Sequence, residues 1–240
     1  MTQLALNLRL KDGSSFDNFH PARNREAIER LRAAAAAGER AFYLWGVSGS
    51  GKTHLLQAAC RQAQEQGRAV AYIPLAQAAE FTTAILDDVD TAQLVCLDDV
   101  DRIAGNGAWE TALFALCERL RAAGGLLVAA GAANPRHLGL AMPELATRLG
   151  WGPVYQLHPL SDADKLMAVR LRARNRGLEM AEDVARFILN RCPRDMNSLF
   201  DLLDRIDRAA LASQRRVTIP FVRGLDGVRV TPVRGRLAEE

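Results

Sequence analysis

Short apolar runs alternate with segments of helical periodicity over the first two thirds of the chain. These runs carry no regular polar alternation, which is typical of strands buried on both faces of a sheet. In the clearest helical segment, apolar side chains recur at three- and four-residue spacing from Trp109 to Leu120. This order predicts an α/β fold in which helices cover both faces of a parallel sheet. The apolar runs occupy residues 41–45, 69–74, 94–97, 126–130 and 154–157.

Beyond residue 159 no strand-like run remains, and the pattern becomes helical. Three helical segments follow at 162–176, 182–191 and 194–214, with a short one at 218–222. Acidic residues or a proline mark where each of them begins. The sequence therefore predicts two domains, an α/β base over residues 13–158 and a smaller all-helical domain over residues 159–225.

Two tails flank these domains. In residues 1–12, leucines alternate with other residues, and this spacing suits an extended segment. Either the segment is an edge strand of this protein, or it is a tail that lies in a groove of another protein. Residues 226–240 mix Gly, Pro and Arg without periodicity, which predicts a flexible C-terminal tail.

The first apolar run leads directly into a loop with the spacing of a phosphate-binding loop. Glycines let the backbone curl so that its N–H groups face an anion, and the following helix adds its positive end. In that helix Lys52 would hold the outer phosphates of a nucleotide, Thr53 would offer a hydroxyl to Mg²⁺, and His54 continues the binding segment. We therefore predict a site for ADP or ATP with Mg²⁺. The loop itself comprises Gly46, Val47, Ser48, Gly49, Ser50 and Gly51.

Two carboxylates complement this loop at the end of the third apolar run. Asp98 follows the run at the carboxyl edge of the predicted sheet, where it could hold Mg²⁺ together with Thr53. Asp99 could orient a water, which makes it a candidate catalytic residue. Because Asp101 follows closely, part of this acidic cluster could instead be a solvated turn.

Composition narrows the class of protein only moderately. The chain has 240 residues, of which 49% are hydrophobic and 25% charged, with a net charge of +3. This permits an acidic partner without requiring one. The four cysteines are far apart in apolar contexts, which predicts reduced core thiols rather than disulfides or zinc ligands. No apolar run is long enough to cross a bilayer and no secretory signal is visible, so a cytoplasmic protein is expected.

Together, the phosphate loop, the strand ending in Asp98 and Asp99, and the helical domain resemble the AAA+ ATPases. The lead-in Phe16-Asp-Asn-Phe19 and the run 159–162 followed by Lys165 are similar to the clade of the bacterial replication initiator DnaA. Residues 144–152 and 194–200 resemble a branch of that family, the regulatory inactivators of DnaA. The resemblance implies an AAA+ base with a helical lid.

The resemblance also assigns roles that the residue pattern alone does not. Arg148 corresponds to an arginine finger that acts in trans, and Arg194 to a sensor arginine that contacts the nucleotide in cis. From the residues alone, Arg148 could simply pair with Glu144 one helical turn earlier, and Arg194 could be one exposed arginine of a basic lid. The N-terminal tail is similar to a peptide that binds the DNA polymerase III β sliding clamp, with Asn7 where the family has proline. Its clamp-binding residues would be Gln3, Leu4, Leu6 and Leu8.

The function implied is regulation of replication. The resemblance implies a protein that binds adenine nucleotide, docks on the sliding clamp and stimulates hydrolysis of ATP held by DnaA, so that initiation is negatively regulated. Ala132 stands where the family presents a polar sensor residue, with Asn134 nearby, which predicts weak or no intrinsic ATPase activity. Sequence-specific DNA binding is not expected, whereas homo-oligomerisation is compatible with the family. The alternatives are a stand-alone ATPase of the helicase-loader type and an assembly protein whose nucleotide is only structural.

Overall fold

The computed structural model describes residues 13–225 except Asp88, Arg194 and Gln214. The chain divides into two compact units, Met1–Pro159 and Leu160–Glu240. Three of the sequence predictions lie outside the described residues: the clamp-binding tail with Gln3, Leu4, Leu6 and Leu8, the sensor Arg194, and the C-terminal tail 226–240.

Five strands form the sheet of the first unit: β1 (Ala41–Trp45), β2 (Val70–Pro74), β3 (Leu94–Asp98), β4 (Leu126–Gly131) and β5 (Val154–Gln156). Their order is β2-β3-β4-β1-β5, and all four pairings are parallel. The predicted α/β fold with a parallel sheet is thus confirmed. Each strand begins and ends within one residue of the apolar run that predicted it.

Four α-helices accompany the sheet: α1 (Arg25–Ala33), α2 (Lys52–Glu65), α3 (Gly107–Ala122) and α4 (Pro143–Leu149). Side chains alternate between two apolar layers along each strand. Phe42 and Val128 pack into the layer with α1 and α2, whereas Tyr43 and Leu127 pack into the layer with α3 and α4. Because both faces are buried, the strands need no polar alternation, which explains the continuous apolar runs. Short 3₁₀ helices complete the unit at Ala22–Asn24, Leu75–Glu80, Thr83–Leu86, Val89–Thr91, Val100–Ile103 and Pro135–His137.

The second unit is helical, as predicted, and contains α5 (Asp162–Asn175), α6 (Glu182–Arg191), α7 (Met196–Ser213) and α8 (Ile219–Arg223). A capping box begins α5: Ser161 Oγ accepts a hydrogen bond from the Asp164 N–H at 3.2 Å, and Asp164 Oδ2 accepts one from the Ser161 N–H at 3.2 Å. The core of the unit consists of apolar side chains from all four helices. None of the helices in the described part of the chain is long and apolar enough to span a bilayer.

Candidate nucleotide site and arginine cluster

The order of the strands brings the predicted site residues to one edge of the sheet. β4 lies between β1, which leads into the phosphate loop, and β3, which ends at Asp98. The Gly46 N–H donates to the carbonyl oxygen of Gly131 at 3.3 Å, which fixes the start of the loop against the end of β4. The carboxyl ends of three adjacent strands therefore contribute the loop, the acidic residues and the segment that contains Ala132.

The loop is closely packed at its two ends. A Cβ atom on Gly46 would lie 2.5 Å from the carbonyl oxygen of Leu157, and one on Gly51 would lie 2.6 Å from the ring of Phe19. Gly51 has φ of 98°, a left-handed conformation that L side chains rarely adopt. These two glycines are thus required by space and, at Gly51, also by backbone conformation.

The start of α2 has the chemistry of an anion site. Lys52 is 8% exposed, and its Nζ donates to the carbonyl oxygens of Gly46 at 2.8 Å and Val47 at 3.3 Å. The N-cap residue of the helix is Gly51, which has no side chain to cap the N–H groups of the first turn. The buried hydroxyl of Ser50 has no hydrogen-bond partner within the described part of the chain. A phosphate group would satisfy these donors, so the loop fits the nucleotide predicted for it.

The aromatic lead-in before α1 packs against the first turn of α2. The rings of Phe19 and His54 are in edge contact with centroids 5.2 Å apart. The Nε2 atom of His54 is hydrogen-bonded to the carbonyl oxygen of Ser15 at 2.9 Å. His54 therefore ties the lead-in segment to the helix that follows the phosphate loop.

Asp98 is held in place by two hydrogen bonds. It is 2% exposed, accepts a hydrogen bond from the Tyr72 hydroxyl at 2.8 Å through Oδ2, and accepts one from the Asp99 N–H at 3.1 Å through Oδ1. Burial and the charge of Asp98 raise the pKa of Tyr72, so the phenol stays a donor. Each carboxylate oxygen keeps a further lone pair, so Asp98 fits the role of a Mg²⁺ ligand, and Thr53 is exposed at the start of α2.

Residues 13–225, as far as they are described, contain no group of three or more His, Cys, Asp or Glu side chains arranged to hold a metal ion. A Mg²⁺ ion at a nucleotide does not require such a group, because phosphate oxygens and waters complete its octahedron. One carboxylate and one hydroxyl are therefore a sufficient protein contribution.

Asp99 adopts a strained conformation directly after β3. Its φ of 56° and ψ of 48° are left-handed, which is uncommon outside glycine, although Asp and Asn tolerate it better than most residues. Burial, with the charges of Asp98 and Asp101 as smaller contributions, raises its pKa, whereas Lys52 acts in the opposite direction. Backbone strain and a raised pKa are both found where residues do chemistry, so the geometry is compatible with the role predicted for Asp99.

Asp101 has a structural contact that the sequence did not reveal. Its Oδ1 accepts a hydrogen bond from the Ala132 N–H at 2.8 Å, which joins the segment after β3 to the segment after β4. The Asn134 side chain accepts from the Arg136 N–H at 3.2 Å and so caps the turn that follows. Ala132 offers no polar side chain, and the oxygen of Asn134 is engaged in this turn.

Arg148 lies in the last turn of α4 within a cluster of charged and aromatic side chains. Its Nε is 2.5 Å from Oε1 of Glu118 on α3, so its ion pair is with that helix rather than with Glu144 in its own. The guanidinium carbon lies 4.0 Å from the centroid of the Trp151 ring and 5.6 Å from that of Phe114. The guanidinium is therefore oriented by a carboxylate and by two aromatic rings.

Sequence reasoning missed three residues that shape these sites. Tyr72 orients Asp98, Glu118 pairs with Arg148, and Glu110 is a buried carboxylate that binds the segment before α4. Only the spacing of Phe114, Glu118 and Arg121 along one face of α3 gave a signal. That spacing shows that the side chains lie together but does not show that α4 covers them.

The fold and this loop define a class of protein, the P-loop nucleotide-binding proteins with a parallel AAA+ type sheet and a separate helical unit. Residues 10–156 match the family described as the bacterial DnaA ATPase domain, and residues 162–225 match the lid domain of Hda. The chain belongs to the DnaA-related AAA+ family and is Hda-like.

Solved structures are similar over most of the chain. Domain III of the replication initiation protein DnaA from Thermotoga maritima has a TM-score of 0.70 at 20% identity, covering 91% of this chain and 98% of that one. AMPPCP-bound DnaA from Aquifex aeolicus has a TM-score of 0.63 at 21% identity, covering 82% of this chain and 66% of that one. The Holliday junction branch migration motor RuvB from Thermotoga maritima has a TM-score of 0.60 at 18% identity, covering 87% of this chain and 72% of that one. At these identities the likeness supports the fold.

Proposed function

We propose that this protein is a regulatory AAA+ protein that stimulates hydrolysis of ATP bound to DnaA and so limits initiation of replication. The observation that carries the proposal is the combination of a DnaA-type base over residues 10–156 with an Hda-type lid over residues 162–225. Both partners of the reaction would act in the cytoplasm. Self-association of the chain is compatible with this role.

In this proposal the protein binds ADP or ATP in its own loop. The backbone N–H groups around Gly49 and the Lys52 ammonium would hold the phosphates, and Arg194 would contact them as the family resemblance implies. Thr53 and Asp98 would hold Mg²⁺, which supplies positive charge to the phosphate oxygens when it is bound. The buried Ser50 hydroxyl, which has no hydrogen-bond partner among the described residues, and the N-cap Gly51, which has no capping side chain, support nucleotide binding here.

The reaction itself would take place on the partner. Arg148 would approach the ATP held by DnaA and stabilise the charge that develops on the transferred phosphoryl group. A guanidinium suits this task because it stays charged and can give two parallel hydrogen bonds to phosphate oxygens. Its side chain is 25% exposed, so part of it is accessible to a partner.

Docking on the clamp would be the task of the N-terminal peptide. Leu4, Leu6 and Leu8 have the alternation expected of an extended peptide that buries one set of side chains in a groove, and Gln3 would be its anchoring residue. Asn7, in place of proline, leaves the free peptide more flexible, so its ordering on the clamp costs more entropy. We expect binding that is weaker than that of a proline-containing peptide.

A second candidate is a stand-alone ATPase of the helicase-loader type. The strained backbone and raised pKa of Asp99 favour it, since both suit a residue that handles an attacking water. Ala132 weighs against it because it supplies no polar group beside that water.

The test combines three proteins with clamp-loaded DNA and ATP-bound DnaA: the wild type, a variant lacking residues 1–8, and Lys52→Ala. The wild type should stimulate hydrolysis by DnaA while turning over little ATP alone. Deletion of residues 1–8 should abolish clamp binding and raise the concentration needed for stimulation. Robust turnover by the protein alone, lost in Lys52→Ala and without any effect on DnaA, would instead establish the stand-alone ATPase.

A further inference from the structure

We propose that Glu118 is a positioning residue that aims the Arg148 guanidinium at the nucleotide of the partner. This inference rests on the function proposed above, in which Arg148 acts in trans. It concerns the contacts on α3 that hold Arg148 before any partner is bound.

The contact to Glu118 engages a specific side of the guanidinium. The ion pair joins Arg148 Nε to Glu118 Oε1 at 2.5 Å; the two atoms attract through charge without forming a hydrogen bond, and the contact does not consume the two terminal Nη groups. Those groups form the edge that can give parallel hydrogen bonds to two phosphate oxygens. The carboxylate therefore holds the inner nitrogen while the outer edge stays available for a phosphate.

Trp151 fixes the plane of the same group. The Arg148 guanidinium carbon is 4.0 Å from the ring centroid of Trp151, a distance at which the two planar groups are in contact. The backbone N–H of Trp151 donates to the Arg148 carbonyl oxygen at 3.3 Å, so Trp151 belongs to the turn that directly follows the arginine. With one nitrogen paired and one face covered, the flexible side chain has little rotational freedom left to lose on binding.

The cluster keeps an excess of positive charge. Glu118 also faces Arg121 at 3.7 Å, and Arg121 lies 5.0 Å from the same indole ring. Burial raises the pKa of the neighbouring Cys117 thiol to about 12, so this group adds no negative charge. One carboxylate thus pairs with two guanidinium groups, so the cluster keeps a net positive charge that attracts phosphate.

The test measures hydrolysis of DnaA-bound ATP against the concentration of this protein, with clamp-loaded DNA present throughout. Glu118→Ala should lower the maximal rate about tenfold with the half-saturating concentration unchanged, because docking is intact and aim is lost. Glu118→Asp keeps the negative charge that pairs with Arg148 and should recover the rate to within about twofold. Glu144→Ala, which removes an exposed carboxylate from the helix of Arg148 while the ion pair with Glu118 stays, is the matched control and should behave as wild type.

The double variant Glu118→Ala with Arg148→Ala should be no slower than Arg148→Ala alone, since Glu118 acts through Arg148. A maximal rate for Glu118→Ala that equals or exceeds the wild-type rate would overturn the inference; an excess would mean that Glu118 restrains Arg148 rather than aims it. If Arg148→Ala itself leaves the rate unchanged, the proposed function fails first and this inference with it. Unfolding in urea, followed by tryptophan emission, verifies that each variant is folded.

Discussion

Glu110 offers a sharp test of how the segment that carries Arg148 is held. The side chain is 1% exposed at the start of α3. Its Oε1 accepts hydrogen bonds from the N–H groups of Gly105 at 2.7 Å and Ala141 at 3.0 Å, and its Oε2 accepts one from Met142 at 2.7 Å. One carboxylate therefore joins the loop before α3 to the segment that leads into α4.

The cost of Glu110→Gln follows from these three bonds. The amide keeps one oxygen, which can still accept from two of the N–H groups, but its NH₂ group must face the third. One buried donor then loses its acceptor, at about 1–3 kcal/mol, and the two remaining bonds lose the assistance of a charge. We expect a loss of about 2–4 kcal/mol in the free energy of unfolding, a large share of the stability of an ordinary domain.

Urea denaturation followed by tryptophan emission measures this loss. The emission reports on the structural unit that contains Glu110, because Trp45, Trp109 and Trp151 all lie within Met1–Pro159. Glu144→Gln is the matched control. Glu144 is exposed in the first turn of α4, so its neutralisation should cost only about 0.3–1 kcal/mol through the helix dipole. If Glu110→Gln unfolds with the same free energy as Glu144→Gln, the account of the buried carboxylate is wrong.

Three further predictions concern the loop, the acidic edge and the lid. Gly46→Ala should weaken nucleotide binding and lower the free energy of unfolding by about 1–3 kcal/mol, because its Cβ would lie 2.5 Å from the Leu157 carbonyl oxygen. Nucleotide titration measures the first effect and urea unfolding the second. Asp99→Asn should raise the melting temperature at neutral pH, because the fold raises the pKa of this carboxyl and so disfavours its charged form. The gain in melting temperature should vanish at pH well below 3.8, where Asp99 is protonated in both the folded and the unfolded state. Ser161→Ala should lower the stability of the lid by about 1 kcal/mol, because it removes the acceptor for the Asp164 N–H. Hydrogen exchange at the start of α5 measures this loss, and unchanged protection would contradict the capping assignment.

The strands and helices were predictable because local chemistry determines them. Continuous apolar runs specify strands covered on both faces, and the 182–191 pattern coincides with helix α6 at both ends. The glycine spacing of the loop predicted a backbone that curls around a phosphate, whereas the close approach of Gly46 to the Leu157 carbonyl oxygen depends on the segment after β5 and had no local signal.

The contacts of the candidate sites were less predictable, since they depend on which elements pack together. Helical spacing suggested Glu144 as the partner of Arg148, yet the packing of α4 on α3 brings Glu118 to it. In the same way, the sequence pattern indicated that Asp101 belongs to an acidic cluster, but the neighbouring strand places the Ala132 N–H within hydrogen-bond distance of its side chain. Such pairs are far apart in sequence, and no local pattern encodes them.

Single-turnover hydrolysis of ATP bound to DnaA, with clamp-loaded DNA, tests most directly whether Arg148 acts in trans. The wild type is compared with Arg148→Ala and with Arg25→Ala, which removes an exposed arginine on α1. An arginine finger contributes roughly 10³-fold or more to the rate, so Arg148→Ala should fall to the rate of DnaA alone, while Arg25→Ala should retain full stimulation. Full stimulation by Arg148→Ala would contradict the account.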